Sequence, residues 1–499
     1  MKFLRGLIRI YYFLILFLPG LVVVWATLSH LSPKILFDKL YLSAFKQSLL
    51  IASSTMVTAT SLGTLCAILI ARFRFPARRL WIVLHTLPLF FVPYQFALAW
   101  SLLLPSGWPS HLLFSPAGVI FVLTGNLYPL AFWFSLVAFV SVPPEEEESA
   151  LLVRPPRKVF WHITFRRSLP YLTGAALLIF LLAFSEIGVP TYLGVNVLPG
   201  EVLTRFAAFY DFHGAMTTAF PLAILSLGLF FLEKHLFERL SFPGRIVERG
   251  LVFRAGPWQA AAALFFLISV AMVFLLIPFG ALGHKAFNLE SLSLALSQGW
   301  RSLGWSLFYG FLAASLAAVW SFLSRCLIGS REQYLLSWLT LLNFFLPPVI
   351  LAVGLIYFWG KLSPWLYGTS FLLVAGLLAR FSFLPYQILS AAHQNLDPSA
   401  EEAAILGGAS RLRIVQKILF PQMRKWFYLG LMLVFVFSLN ELGLSTLLYP
   451  PGAEPLVVRL YTLSVNNPLG VSAALALMNS LTTLGVVIIL WRKSLDWSR

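Results

Sequence analysis

Three ionisable residues, Glu186, Arg380 and Glu441, lie within long apolar stretches of this 499-residue sequence. A charged side chain at the centre of a lipid bilayer costs about 2.5–3.5 kcal/mol on insertion scales, so such residues usually face a cavity or pair with one another. Both uses are open here. The three residues either line a polar translocation pathway, or they form an Arg–Glu pair that locks helices together.

A second cluster of charged and small residues is the segment PSAEEAAILGGASRLRIVQKILFP, residues 398–421. The whole chain is 59% hydrophobic and only 11% charged, yet this segment holds two glutamates, three basic residues and a Gly-Gly pair. Asp397 followed by Pro398 predicts that a short helix begins here, and a capping box of Ser399 with Glu402 is the alternative start.

Small residues shape this predicted helix and the bend after it. Ala400, Ala403 and Ala404 give the helix a narrow face, and Gly407-Gly408 lets the backbone bend or another surface approach closely. The segment is therefore either a docking element or an ordinary solvated loop that keeps positive charge on one side of a membrane.

The remainder of the chain is dominated by apolar runs. Its mean hydropathy is +0.84, and a helix needs roughly 20 apolar residues to cross a hydrocarbon core. Because the runs lack the alternation of barrel strands, they predict an all-α polytopic membrane protein. The twelve predicted spans are 10–30, 48–71, 80–104, 117–141, 171–193, 216–233, 258–280, 300–325, 335–360, 366–391, 426–449 and 468–491. We interpret the first as a retained span rather than a cleaved signal peptide.

Basic residues set the predicted orientation. With the N-terminus in the cytoplasm, 27 of the 36 lysines and arginines fall in cytoplasmic segments or at the cytoplasmic ends of spans, and eight fall in external segments or at external span ends. Lysine and arginine prefer the cytoplasmic side, so both termini are predicted to be cytoplasmic. The formal charge of +17 thus reflects topology rather than a nucleic-acid partner.

Cysteine and histidine give no sign of a disulfide or a metal centre. Cys66 and Cys326 lie in separate apolar runs, and the eight histidines are scattered without a ligand-like spacing. We therefore expect no metal site.

An internal repeat organises the chain. A shift of 255 aligns residues 143–193 with 398–448 without a gap, at twelve identities in 51 positions, and it aligns glutamates with glutamates. The repeat predicts two six-helix halves in the same orientation, 1–233 and 258–499, joined by a cytoplasmic linker, 234–257. Arg380 aligns with Gly125, so one arginine would serve two glutamates, which argues against a purely duplicated structural bridge.

The second loop resembles the EAA motif of ABC importer permeases. It carries Glu402-Ala403-Ala404 at its start, then Gly408, and later Ile418 and Pro421. In that family the loop forms a coupling helix that fits a groove on a cytoplasmic ATPase subunit. The whole chain resembles the fused double permeases of the ferric-iron and thiamine importer group. The residues that this resemblance implies for ATPase coupling are Glu146, Glu147, Glu401, Glu402, Ala403, Ala404, Gly408, Ile418 and Pro421.

The first-half copy departs from the motif. Glu148 and Ser149 replace the two alanines, Val153 replaces the glycine, and Arg166 replaces the proline. Larger side chains hinder the close seating of a helix. The two loops are therefore expected to couple unequally, with the second loop the more effective.

The chain lacks the G-x-x-x-x-G-K-[ST] phosphate loop, so it is not expected to be an enzyme, to contain catalytic residues or to hold a cofactor of its own. The resemblance implies two ATP-binding partner subunits, an extracytoplasmic solute-binding protein, and a place in the bacterial inner membrane in contact with lipid. Ferric iron, thiamine and phosphonates all stay open as substrates.

Two other classes of membrane protein are alternatives to this interpretation. A secondary transporter driven by an ion gradient also has twelve helices in two parallel halves. A membrane enzyme acting on a lipid-linked substrate would need clustered carboxylates at an interface, and the acidic run Glu145 to Glu148 is better explained as the degenerate first loop.

Overall fold

The computed structural model describes residues 2–18, 20–22, 38–73, 77–104, 107–237, 256–466 and 468–495. Across these ranges the regular secondary structure is helical, with no strand, which confirms the all-α prediction. Most of the predicted linker, residues 238–255, lies outside the described residues.

The helices follow the apolar runs. Up to residue 237 the α-helices are α1 (Lys2–Tyr11), α2 (Lys39–Arg72), α3 (Arg78–Thr86), α4 (Pro93–Leu103), α5 (Trp108–Leu113), α6 (Pro116–Val140), α7 (Pro144–Leu151), α8 (Pro156–Val159), α9 (Arg166–Phe184), α10 (Gly188–Tyr192), α11 (Leu198–Ala207) and α12 (Phe212–Phe237). From residue 256 onwards they are α13 (Pro257–Ala271), α14 (Ile277–Ala286), α15 (Leu289–Leu327), α16 (Ser330–Phe345), α17 (Pro348–Leu362), α18 (Ser370–Phe381), α19 (Phe383–Gln394), α20 (Ser399–Leu406), α21 (Arg411–Ile414), α22 (Phe420–Leu439), α23 (Ser445–Leu448), α24 (Leu456–Asn466) and α25 (Leu469–Leu495). Short 3₁₀ turns occupy Leu87–Phe90 and Pro364–Leu366.

Within the described ranges, eight helical stretches are long and apolar enough to cross a membrane, and three bent helix pairs raise the number to eleven if each pair is one span. The bends are 96° before α4, 109° between α16 and α17, and 42° between α18 and α19. The predicted span 426–449 overlaps α22, a helix of 20 residues outside those eleven. A polytopic membrane protein is confirmed, whereas the number twelve stays a prediction.

Several local features recur in the two halves, the first at a spacing of 255 residues and the second at 258. A π-helical turn lies at Phe160–Phe165 in the first half and at Val415–Leu419 in the second. The Ser48 hydroxyl accepts the Leu198 N–H at 2.8 Å, and the Ser306 hydroxyl accepts the Leu456 N–H at 2.7 Å, with 150 residues between the partners in each case. These recurrences support the predicted duplication.

Packing divides the described chain into two compact units. The α2 unit contains the described residues of 37–201 and 228–287, and the α15 unit contains those of 1–36, 202–227 and 288–499. In the α2 unit, Gly63 allows α2 to approach α6, since a Cβ at that position would overlap the Tyr128 carbonyl oxygen.

The first helix of each half packs in the unit built mainly from the other half. In the α15 unit, Tyr11 stacks on Trp320 with ring centroids 5.0 Å apart, and the Ser324 hydroxyl donates to the Tyr12 hydroxyl at 3.0 Å. In the α2 unit, Phe279 packs on Phe91 at 4.4 Å. Contacts in space therefore cross the division predicted along the sequence.

Candidate functional site

The second loop contains the predicted helix, α20. Pro398 immediately precedes its first residue, Ser399, so the alternative start with Ser399 as the cap is wrong. The Asp397 carboxylate accepts the Ser399 N–H at 3.0 Å, and this hydrogen bond lowers the pKa of Asp397. The helix begins here because an acidic side chain satisfies one of its free amides.

Helix α20 presents both charge and apolar surface to its surroundings. Glu402 and Ala403 are exposed, and the side chains of Ile405 and Leu406 are 52% and 89% exposed. Exposed apolar side chains on a short helix are typical of a surface that another protein covers.

Gly408 ends α20 in the left-handed conformation, with φ of +75°. Its N–H donates to the Ile405 carbonyl and the Ala409 N–H to the Ala404 carbonyl, both at 3.0 Å. This arrangement is a glycine cap of the helix C-terminus. A Cβ on Gly408 would meet nothing within 4 Å, so this chain requires glycine there for its backbone conformation rather than for space.

The second loop is attached to its own unit by a partly exposed ion pair. The Arg411 guanidinium pairs with Glu401, with side-chain exposures of 39% and 21%, and it also donates to the Cys326 carbonyl at 3.3 Å. Of the remaining motif residues, Ile418 is half-buried and Pro421 is exposed.

The first loop is attached differently, through a buried ion pair. Arg72, the last residue of α2, pairs with Glu147 of α7 at 2.9 Å, and the two side chains are 2% and 1% exposed. The Thr164 hydroxyl also donates to the Glu147 carboxylate. Glu147, predicted to serve ATPase coupling, thus points into its own unit.

An open groove of about 580 Å³ lies beside α7. It is lined by Glu146, Ser149, Ala150, His162, Ile163, Arg166 and Arg167. At the repeat shift, four of these positions are motif residues of the second loop, namely Glu401, Ala404, Ile418 and Pro421. Glu146 pairs with Arg167 at 2.6 Å, so four motif positions of the first half surround one concavity.

Arg380 and Glu441 form the ion pair expected by the structural interpretation. The Arg380 Nε lies 3.0 Å from the Glu441 carboxylate, with side-chain exposures of 7% and 11%. Arg380 also donates to the Leu346 carbonyl at 3.2 Å. Leu346 stands at the 109° bend between α16 and α17, so the arginine satisfies a carbonyl that leaves the helix at this break.

The two intramembrane glutamates lie at helix breaks, whereas the predicted spans 171–193 and 426–449 ran through them as continuous helices. Helix α9 ends at Phe184 and α22 ends at Leu439. Glu186 accepts the Gly188 N–H at 2.9 Å, and Glu441 accepts the Leu444 N–H at 3.1 Å. Each carboxylate therefore satisfies an amide that the broken helix leaves free.

In the first half, an asparagine binds the carbonyls at the 96° bend before α4. The Asn126 side chain donates to the carbonyls of Pro88 and Phe91, at 2.9 and 3.0 Å. At Gly125, the position of Arg380, a Cβ would overlap the Phe274 ring. The repeat shift maps Phe91 onto Leu346, so two different side chains bind the same carbonyl position in the two halves.

Three residues at these sites were missed by sequence reasoning: Arg72, Asn126 and Thr164. Arg72 was counted only as a topological charge. The repeat itself held a signal for two of them. The 258-residue spacing of Ser48 and Ser306 places Ser330 opposite Arg72, and the shift of 255 places Leu419 opposite Thr164. Neither serine nor leucine can replace the partner that it is aligned with, which indicates that the two aligned glutamates have different surroundings.

Comparisons with known proteins relate the chain to transport permeases. No protein-family model matches the chain. The putative 2-aminoethylphosphonate transport system permease protein PhnV of Salmonella typhimurium is 26% identical over 182 residues, covering 36% of this chain and 69% of that protein. The Fe(3+)-transport system permease protein FbpB 2 of Haemophilus influenzae is 23% identical over 439 residues, covering 84% of this chain and 83% of that protein. The predicted resemblance to transport permeases, including one of the ferric-iron group, is confirmed.

Proposed function

We propose that this chain, whose relatives are permeases of iron and phosphonate transport systems, is the membrane-spanning permease subunit of an ABC importer. The observation that carries the proposal is the exposed helix α20, which holds Glu402, Ala403 and Ala404 of the motif and projects Leu406 from its surface. A permease without a phosphate loop needs such a surface to receive work from an ATPase.

The proposed partners follow from the same surface. Two ATPase subunits dock at the loops around α7 and α20 and supply all ATP binding, so the chain itself holds no cofactor. A solute-binding protein delivers substrate on the opposite side of the bacterial inner membrane. Glu186, Arg380 and Glu441 line or gate the pathway, at the helix breaks where backbone groups turn away from their helices.

The substrate is proposed to be ferric iron or a phosphonate, the solutes for which the relatives are named. Thiamine, which the sequence resemblance also implied, is the third candidate. Selectivity lies mainly in the solute-binding protein, so the permease alone is not expected to distinguish the three.

The test is to purify the chain from its host with its bound partners and reconstitute the complex in vesicles. We expect an ATPase to co-purify, and uptake of iron or 2-aminoethylphosphonate to require both ATP and the solute-binding protein. Uptake that follows an ion gradient without ATP would favour the secondary transporter instead.

Membrane orientation can be tested with a matched pair of cysteine substitutions. Ser410 lies in a predicted cytoplasmic segment and Ser293 in a predicted external one, and both are exposed. We expect an impermeant thiol reagent to label Ser293→Cys in intact cells and Ser410→Cys only after the cytoplasmic side is opened. The native Cys66 and Cys326 are buried, so background labelling will be low. Labelling of Ser410→Cys from outside would reject the orientation.

A further inference from the structure

We infer that Arg72 is a positioning residue for the first coupling loop: by holding Glu147, it fixes helix α7 to the membrane helices so that the loop and those helices move together. This inference rests on the proposed function, because it concerns how work from an ATPase reaches the pathway.

The contacts of Arg72 join three elements of the α2 unit. Its two terminal nitrogens meet the two carboxylate oxygens of Glu147, at 2.9 and 3.2 Å. One of them also donates to the Phe139 carbonyl, at the end of α6, at 2.8 Å. Thr164 binds the same carboxylate from the π-helical turn that leads into α9. A planar guanidinium with two carboxylate bonds permits one relative orientation of these parts.

Because the Arg72–Glu147 pair is buried, its geometry and hydrogen bonds must be nearly complete. Two charges removed from water are tolerated only when their geometry is good and their remaining hydrogen bonds are satisfied, and removing one partner leaves an uncompensated buried charge. Such a pair is a poor source of net stability but a strong restraint on geometry. It is therefore suited to fixing the angle at which α7 leaves the membrane helices.

The second loop is an internal control within the same chain. Helix α15 is related to α2 by the 258-residue spacing of Ser306 and Ser48, which places the exposed Ser330 opposite Arg72. The shift of 255 places the buried Leu419 opposite Thr164. The aligned glutamate, Glu402, accordingly lies at the surface. The motif glutamate thus faces inward in the first loop and outward in the second.

Because of this difference, the two loops would contact their ATPase subunits and transmit motion in different ways. The first can offer its ATPase only the shape of α7 and the charges beside Glu147, and transmits motion through a rigid connection. The second offers Glu402 directly and is attached by the partly exposed Glu401–Arg411 pair.

The test measures amide hydrogen exchange together with solute taken up per ATP hydrolysed, in the purified complex. We expect Glu147→Gln to raise exchange across α7 about tenfold or more, because local opening no longer breaks an ion pair. Uptake per ATP should fall several-fold while the ATPase stays bound at the same ratio. The matched control Glu402→Gln, which changes an exposed glutamate, should leave exchange across α7 unchanged.

Charge reversal separates positioning from general damage. Arg72→Glu combined with Glu147→Arg should restore slow exchange and most of the uptake per ATP relative to either single change. Unchanged exchange in Glu147→Gln, or a reversal no better than the single variants, would overturn the inference. If Glu147→Gln does not fold, Thr164→Val decides: faster exchange confined to residues 144–151 supports the inference, and unchanged exchange rejects it. Exchange does not depend on an ATPase, so a wild-type chain that binds none would refute the proposed function separately.

Discussion

Glu441→Gln is expected to lower the rate of uptake at least about tenfold while the chain still folds and keeps its ATPase. The glutamine retains an oxygen for the Leu444 N–H, but it leaves Arg380 buried without its negative partner. Removing one member of a buried ion pair costs about 3–5 kcal/mol. The break at Leu346, which Arg380 also contacts, should therefore lose its defined geometry. Transport assays and thermal unfolding of the purified variant measure the two effects.

A double variant distinguishes the pathway from a structural lock. Arg380→Met with Glu441→Gln removes both charges and leaves none uncompensated, so it should recover thermal stability. If the charges serve the pathway, as we propose, uptake stays low. Full uptake by the double variant would show that the Arg380–Glu441 pair only holds helices together and has no role in the pathway. Glu186→Gln is the matched change in the first half, where Gly125 stands in place of the arginine. Normal uptake by the double variant Glu186→Gln/Glu441→Gln would contradict the pathway role.

Gly408→Val is expected to weaken ATPase association or to uncouple hydrolysis from uptake. Left-handed backbone costs a residue with a Cβ about 1–2 kcal/mol, and a β-branched residue more. Valine would therefore unwind the end of α20 that the Gly408 conformation caps. Stoichiometry with the ATPase and transport-linked hydrolysis are the measurements. Val153→Gly, at the aligned exposed position of the first loop, should have much less effect, and equal defects in the two would show that the loops are equivalent.

Gly408→Asn identifies the cause of that effect. Asparagine tolerates the left-handed conformation, and the position is open in this chain. Near-normal coupling in Gly408→Asn would assign the valine defect to backbone strain. Equal loss in the two variants would show that the ATPase surface approaches Gly408 too closely for any side chain.

Local sequence signals predicted the chemistry of these sites better than their geometry. Pro398 and Asp397 marked the start of α20, and the aligned Glu186 and Glu441 marked two equivalent places. Apolar composition, however, cannot show where a helix breaks. The runs around both glutamates stay apolar through the break, because the carboxylate itself satisfies the freed amides.

The pattern of apolar runs and charges along the sequence could not predict which distant residues pair. Arg72 and Glu147 are separated by 75 residues, and a charge at the cytoplasmic end of a span serves topology equally well whether or not it has a partner. Only the comparison with Ser330 and Leu419 in the other half indicates that it does. The packing of Tyr11 against Trp320 had no local signal, because aromatic residues near membrane ends are common in any span.

The exchange of first helices has a consequence for how the chain is made. Gly125 on α6 receives its Phe274 neighbour only after another 149 residues have been synthesised, and Tyr11 waits still longer for Trp320. The first half must therefore remain in the membrane with an uncovered face until the ribosome has delivered the first helix of the second half, and α1 must remain without its partner until α15 is made. Carrying both halves on a single polypeptide guarantees that these helices arrive in the same place and in equal amount, which two separately translated halves would have to achieve by diffusion.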